Sequence, residues 1–143
     1  MYQIDKDTIK KFIFSLQNTD GGFHLQKNYN QTTLMSSAFS IIILELINSL
    51  DSLEISRDQD FFLRHQDEKS GLFIDLNRNQ EYEKKEDIEY NYIHYQTTAF
   101  SLSALDALGL KPNYRLSFTD RFRGKDKILK FFDGVDWKNP WHE

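Results

Sequence analysis

The residues best suited to chemistry are His94 and its neighbours Tyr92, Tyr95, Gln96 and Thr97. An imidazole titrates near neutrality, so His94 is the candidate catalytic acid or base, and with the two Tyr side chains it could equally hydrogen-bond a ligand. The plainer role is a helix start whose His and Tyr side chains pack half-buried, because a site requires convergence in space. Trp137 and Trp141 flank Asn139-Pro140 and could stack on a sugar, line a hydrocarbon cavity or anchor a turn. Together Tyr92, His94, Tyr95, Trp137 and Trp141 are the candidate ligand-binding residues. His65 precedes Glu68 by three positions and His142 adjoins Glu143, but no His-x-x-x-His pair is present to fix a tetrahedral metal, and no metal or cofactor is expected. Asp20, ahead of Gly21-Gly22, reads as turn chemistry. The run Glu81, Glu83, Glu86, Asp87 and Glu89, opposed only by Lys84 and Lys85, reads as a solvated loop rather than a cation or partner site. The excess length between Phe73 and Gln96 makes 77–92 the expected mobile segment.

The elements that must position these residues form a repeat. Phe12-Ile13-Phe14-Ser15-Leu16-Gln17, closed by Asp20-Gly21-Gly22-Phe23, recurs as Phe61-Phe62-Leu63-Arg64-His65-Gln66, closed by Ser70-Gly71-Leu72-Phe73. Each copy leads to a second apolar stretch, Ser37-Ala38-Phe39-Ser40-Ile41 in the first and Thr98-Ala99-Phe100-Ser101-Leu102 in the second. Recurrence at tens of residues signals supersecondary units that bury their apolar faces only by stacking on one another. Ile9, Phe12, Ile13 and Leu16 follow helical spacing, with Asp5 or Asp7 as cap. Thr32 or Thr33 is placed to cap a second helix, running to about Leu50 and apolar on most of its circumference, hence an inner one. Ser56-Arg57-Asp58-Gln59 resembles a capping box for the next helix. Gly109 and Pro112 end the inner helix that follows, and Asp126 is placed to cap one carrying Ile128, Phe131 and Phe132. The expected class is all-α, antiparallel helical hairpins in one domain, with repeat 1 at about 5–50, repeat 2 at about 56–110 and the start of repeat 3 at about 125–143.

Composition excludes several functions. The 143 residues, 39% hydrophobic and 15% aromatic, supply one packed domain. A net charge of −4 argues against nucleic-acid binding by phosphate neutralisation. The absence of cysteine removes disulfides and thiolate-bound metals and is compatible with a reducing compartment. The first residues show no secretion signal, so a cytoplasmic location is expected, and Leu34 to Ile47 is too short to cross a bilayer.

The spacing of Phe12, Gln17, Gly21 and Phe23, and of Phe61, Gln66, Gly71 and Phe73, resembles the QW repeat of squalene and hopene cyclases, with Phe in place of Trp. Similar hairpins build the β subunits of protein prenyltransferases and other α/α toroids, including polysaccharide lyases. The resemblance covers about Ile9 to Leu110 and implies part of an α/α toroid, with inner-helix ends lining a central cavity. It implies an apolar, isoprenoid-type ligand, bound or transformed in an aromatic-lined cavity. Alternatives are a carbohydrate-active or carbohydrate-binding toroid and a non-catalytic scaffold for protein interaction. The cyclases' Asp-x-Asp-Asp acid motif has no counterpart here, nor does the Cys of the prenyltransferase zinc set. A closed ring takes roughly five to seven hairpins in such families, each stabilised mainly by its neighbours. An incomplete toroid is therefore expected, whose open side is covered by further toroid or by self-association. Gln17 and Gln66 are expected to stitch the turns, their amides satisfying main-chain groups beneath the returning aromatic ring.

Overall fold

The computed structural model describes residues 5–29, 31–75 and 92–134, with Lys138. Trp137, Trp141, His142, the acidic run 81–89 and nearly all of the expected mobile segment lie outside them, as does the side chain of Tyr92. The described chain is mostly helical: α1 (Lys6–Phe14), α2 (Leu34–Leu46), α3 (Ile55–Leu63), α4 (Tyr92–Ala107) and α5 (Lys125–Gly134), with 3-10 turns at Leu50–Ser52 and Ser117–Phe122. Its extended elements are isolated antiparallel bridges, among them Gln17 to Phe23 and Gln66 to Phe73. No helix among the described residues is long and apolar enough to cross a membrane.

Local chemistry explains where the helices begin. Asp5 caps α1, accepting from the Asp7 amide at 3.1 Å. Thr33 rather than Thr32 caps α2, in a reciprocal box with Ser36, which satisfies two otherwise unpaired amides of the first turn. The box expected at Ser56-Arg57-Asp58-Gln59 does not form: α3 starts at Ile55, and Glu54 makes no side-chain cap bond. Asp58 thus sits inside the first turn of α3, its carboxyl spent on another contact. Asp126 likewise falls within the first turn of α5 rather than ahead of it. Helix α1 ends at Phe14, so Leu16 reaches the core from the turn that follows instead of from a helical face.

Helices α1 and α2 pack together, as do α3 and α4, and α2 packs along α4. One core joins them, with Phe23, Leu34, Ile41, Phe61 and Phe73 all fully buried. The two turns match bond for bond. The Asn18 amide donates to Gly22 O at 2.8 Å and the Asp67 amide to Leu72 O at 2.8 Å; His24 donates to Leu16 O at 2.8 Å and Ile74 to His65 O at 2.9 Å. The returning aromatics are tied to the inner helices in the same way, Phe23 N–H to Ser37 Oγ and Phe73 N–H to Thr98 Oγ1, both at 2.8 Å. Both inner helices also close alike, on Asn48 at φ 54° and Gly109 at φ 70°, with amides of Ser49 and Leu110 returning to Leu44 O and Leu105 O.

The copies differ in what covers them. Phe61 is fully buried because its ring lies against Gly22 of the first turn. Phe12, expected to play the same part in the first copy, is 51% exposed, since no such turn lies over α1 among the described residues. Where α3 meets the first turn, the stretch after α4 meets the second: Gly71 closes on the Arg115 main chain, Phe118 N–H donates to Ser70 O at 3.0 Å, and Ser117 Oγ bonds Lys69 O. Helix α5 stands outside that contact. It packs on the 3-10 turn Ser117–Phe122, with the Phe122 and Phe131 rings 5.0 Å apart, and all its residues are exposed.

Candidate functional site

Of the two glutamines expected to stitch their turns, Gln66 does so, whereas the Gln17 amide makes no bond to a main-chain group of its turn. Gln66 is buried; its Nε2 donates to Gly71 O at 3.1 Å and to Tyr114 O at 2.9 Å, while its Oε1 accepts from Tyr114 N–H at 2.9 Å. It therefore pins its own turn and the following segment at once. Gln17 donates instead to a side chain, Asp58 Oδ1, at 2.8 Å. Gly21 and Gly71 adopt φ of +89° and +76°, and at both a Cβ would collide with a main-chain carbonyl, that of Arg57 or of Arg115. A residue with a side chain would be strained there both by the left-handed backbone and by lack of room.

His94, the acid-base candidate, lies in the first turn of α4 and is only 4% exposed. Burial holds its imidazole below the ordinary pKa, favouring the neutral ring. Tyr95 turns to the segment after α4, with its ring 5.6 Å from that of Phe118 and the Arg121 guanidinium 5.1 Å from its centroid. Of the expected ligand-binding set, then, the described side chains are those of His94, enclosed, and Tyr95, half-buried beside Phe118 and Arg121.

A second histidine lies deeper in the repeat. His65 Nδ1 is 2.7 Å from Phe61 O; a carbonyl only accepts, so this nitrogen carries the proton. Burial lowers its pKa, against the pull of the Phe61 carbonyl, Asp75 and Asp20. Asp75, buried like His65, accepts from the Leu34 amide at 2.9 Å and so ties the second copy to the start of α2. Asp20 accepts from Gly22 N–H at 3.0 Å, the turn role expected of it. It also accepts from Thr32 Oγ1 at 3.0 Å and Arg64 at 2.9 Å, which tie that turn to the segment before α2 and to the end of α3. Among the described residues no three His, Asp or Glu side chains are grouped so as to hold a metal.

Helix α2 exposes an apolar stripe, although Glu45 beside it and Ser103 and Asp106 on α4 are also exposed. Phe39, Ile43 and Leu46, at i, i+4 and i+7 along α2, are 42%, 39% and 73% exposed, and the Phe39 ring lies 4.7 Å from that of Phe100 on α4. Helical spacing puts them on one stripe, and the Phe39–Phe100 pair carries that surface across to the neighbouring inner helix. The buried arc of α2 is the opposite one, through Leu34, Ala38, Ile41 and Leu44. The sequence marks Asp58 only as part of a capping box and gives Asp75 no role, because their partners lie 41 residues away in each case. No family model matches the chain, and comparison with curated proteins and with solved structures finds no match.

Proposed function

We propose that this chain is a helical-hairpin module of the α/α-toroid type whose inner helices hold an apolar, isoprenoid-type ligand against Phe39, Phe100, Ile43 and Leu46. The observation that carries this reading is the exposed apolar stripe of α2 joined to α4 by a ring pair. Aromatic and aliphatic side chains left in water in one contiguous strip gain by contact with hydrocarbon, at about 25 cal/mol per Å² covered. The acid-base candidate, His94, is enclosed, and burial favours its neutral ring, which favours holding the ligand over transforming it. The carbohydrate alternative rests on Tyr92, His94, Tyr95, Trp137 and Trp141; of these His94 is enclosed and the Tyr95 ring is packed, tilted, against Phe118, so they offer it less support. A cytoplasmic setting accords with the absence of cysteine.

The test is displacement of a hydrophobic dye by farnesol and by a prenyl diphosphate, repeated with Phe39→Ser and Leu46→Ser. Both side chains are substantially exposed, so the variants should fold. Losing one buried apolar side chain from the complex weakens it by about tenfold or more. Saturable displacement that either substitution weakens supports the proposal. Dye binding that neither isoprenoid displaces at saturation overturns it and favours the scaffold alternative, a face for a protein partner.

A further inference from the structure

The joint between the first turn and α3 differs chemically from the joint after the second turn. At the second, Gln66 is satisfied by main-chain groups of Tyr114. At the first, Gln17 meets a carboxyl group. Asp58 is wholly inaccessible to solvent, its Oδ1 accepts one hydrogen bond from Gln17 at 2.8 Å, and its Oδ2 has no partner among the described residues. The adjacent Arg57 has a buried Nε that is also unpartnered, its terminal nitrogen Nη1 lying instead 3.3 Å from Glu54. An ionised carboxylate shut off from solvent with a single neutral donor is poorly solvated, whereas the neutral acid tolerates the same surroundings at far lower cost.

We propose that the Asp58 carboxyl is a proton-operated latch between the two hairpins, closed when protonated and loosened when ionised. The groups that act on it are Gln17 from the first turn, which does not titrate, and Arg57 and Glu54 from its own helix. Burial is the largest influence and Glu54 adds to it; together they outweigh Gln17 and Arg57, so the carboxyl titrates at about 6. With the proton on, α3 stays seated, Arg57 against Gly21 and the Phe61 ring against Gly22. With the proton off, the anion draws water, or the idle Arg57 Nε, into the joint, and the seat loosens. The second joint sets its glutamine against main-chain groups among the described residues, and the nearby His65 favours the seated state as pH rises, so it does not loosen over the same range.

The repeat supplies its own control. Amide hydrogen exchange, corrected for the intrinsic pH dependence of exchange, is followed by NMR on the full chain at the Asn18 and Phe23 amides and at their counterparts Asp67 and Phe73. Between about pH 5 and about pH 7.5, protection of Asn18 and Phe23 should fall by roughly tenfold. That of Asp67 and Phe73 should not fall, since the neighbouring His65, its pKa lowered by burial, favours the seated second turn as pH rises. Asp58→Asn, which keeps the acceptor for Gln17 and cannot ionise, should abolish the difference. Equal behaviour of the two turns in the native protein overturns the latch, whether both are flat or both fall together, and needs no variant to fold. A pH dependence that persists unchanged in a folded Asp58→Asn protein overturns it as well.

Discussion

Replacing Gln66 by Ala should cost the fold more than replacing Gln17, although the two occupy the same place in the repeat. The Gln66 side chain makes three hydrogen bonds, so its removal leaves the Gly71 carbonyl and both main-chain groups of Tyr114 in need of partners. An unmet buried group costs about 1–3 kcal/mol. Gly71 is buried, whereas Tyr114 is 38% exposed, so water can replace part of what Tyr114 loses. That puts Gln66→Ala at about 2–4 kcal/mol. Gln17 makes one side-chain bond, to Asp58, and its loss leaves that one buried carboxyl oxygen unmet, at about 1–2 kcal/mol. Urea unfolding followed by circular dichroism gives both values from the midpoints at constant slope. Gln66→Glu, which keeps the acceptor for Tyr114 N–H but loses both donors, should recover little. Equal costs for the two alanine variants, or a Gln66→Ala protein within about 0.5 kcal/mol of the parent, would refute the stitching role assigned to Gln66.

Gly71→Ala should lower stability by more than about 2 kcal/mol, since it adds left-handed strain to a collision with Arg115; a thermal melt within a few degrees of the parent would contradict this. Asp58 titrates near 6 in the fold instead of at 3.8, so its proton is bound more tightly in the folded state than in the unfolded one. Its contribution to stability is then present in full below about pH 4 and is lost as pH rises through about 6, a loss of up to about 3 kcal/mol. Denaturation across that range should show this slope and Asp58→Asn should flatten it; an unchanged slope sinks the assignment. His65 and His94 act in the opposite sense, because their pKa values are lowered in the fold. Their contribution is present above the ordinary imidazole value and is lost as pH falls below about 6.5, so His65→Gln should give a shallower acid limb in melting temperature, and an identical limb would count against its buried neutral state.

The parts of the fold legible in the sequence were those written in local chemistry. Gln17-to-Phe23 and Gln66-to-Phe73 mark their turns because glycine at positive φ and a returning aromatic are needed within a few residues of each other. The apolar stretch of α2 marks an inner helix for the same local reason, its composition leaving little polar surface to offer water. Its exposed stripe at Phe39, Ile43 and Leu46 follows directly from that excess. What could not be read depends on partners distant in sequence. Phe12 and Phe61 look alike, yet only Phe61 has a preceding turn to cover it. Ser56-Arg57-Asp58-Gln59 carries the residue types of a cap, but Asp58 is claimed by Gln17 across the joint, and no pattern within its own helix announces that. His94 had the setting of a catalytic base, and whether it faces a cavity or a core is decided by neighbouring elements rather than by its flanking tyrosines.

The central claim is that each Gln-Gly turn is the seat for the segment that follows its hairpin, and through-space NMR contacts in the folded, isotopically labelled chain test it most directly. The prediction is a pair of contacts, Gly22 Hα to the Phe61 ring and Gly71 Hα to the Hα of Leu116, seen together and with Gly22 Hα shifted upfield by the ring above it. Assigned spectra of a folded chain in which both glycines lack these contacts would contradict the seat and, with it, the stacking of the two hairpins.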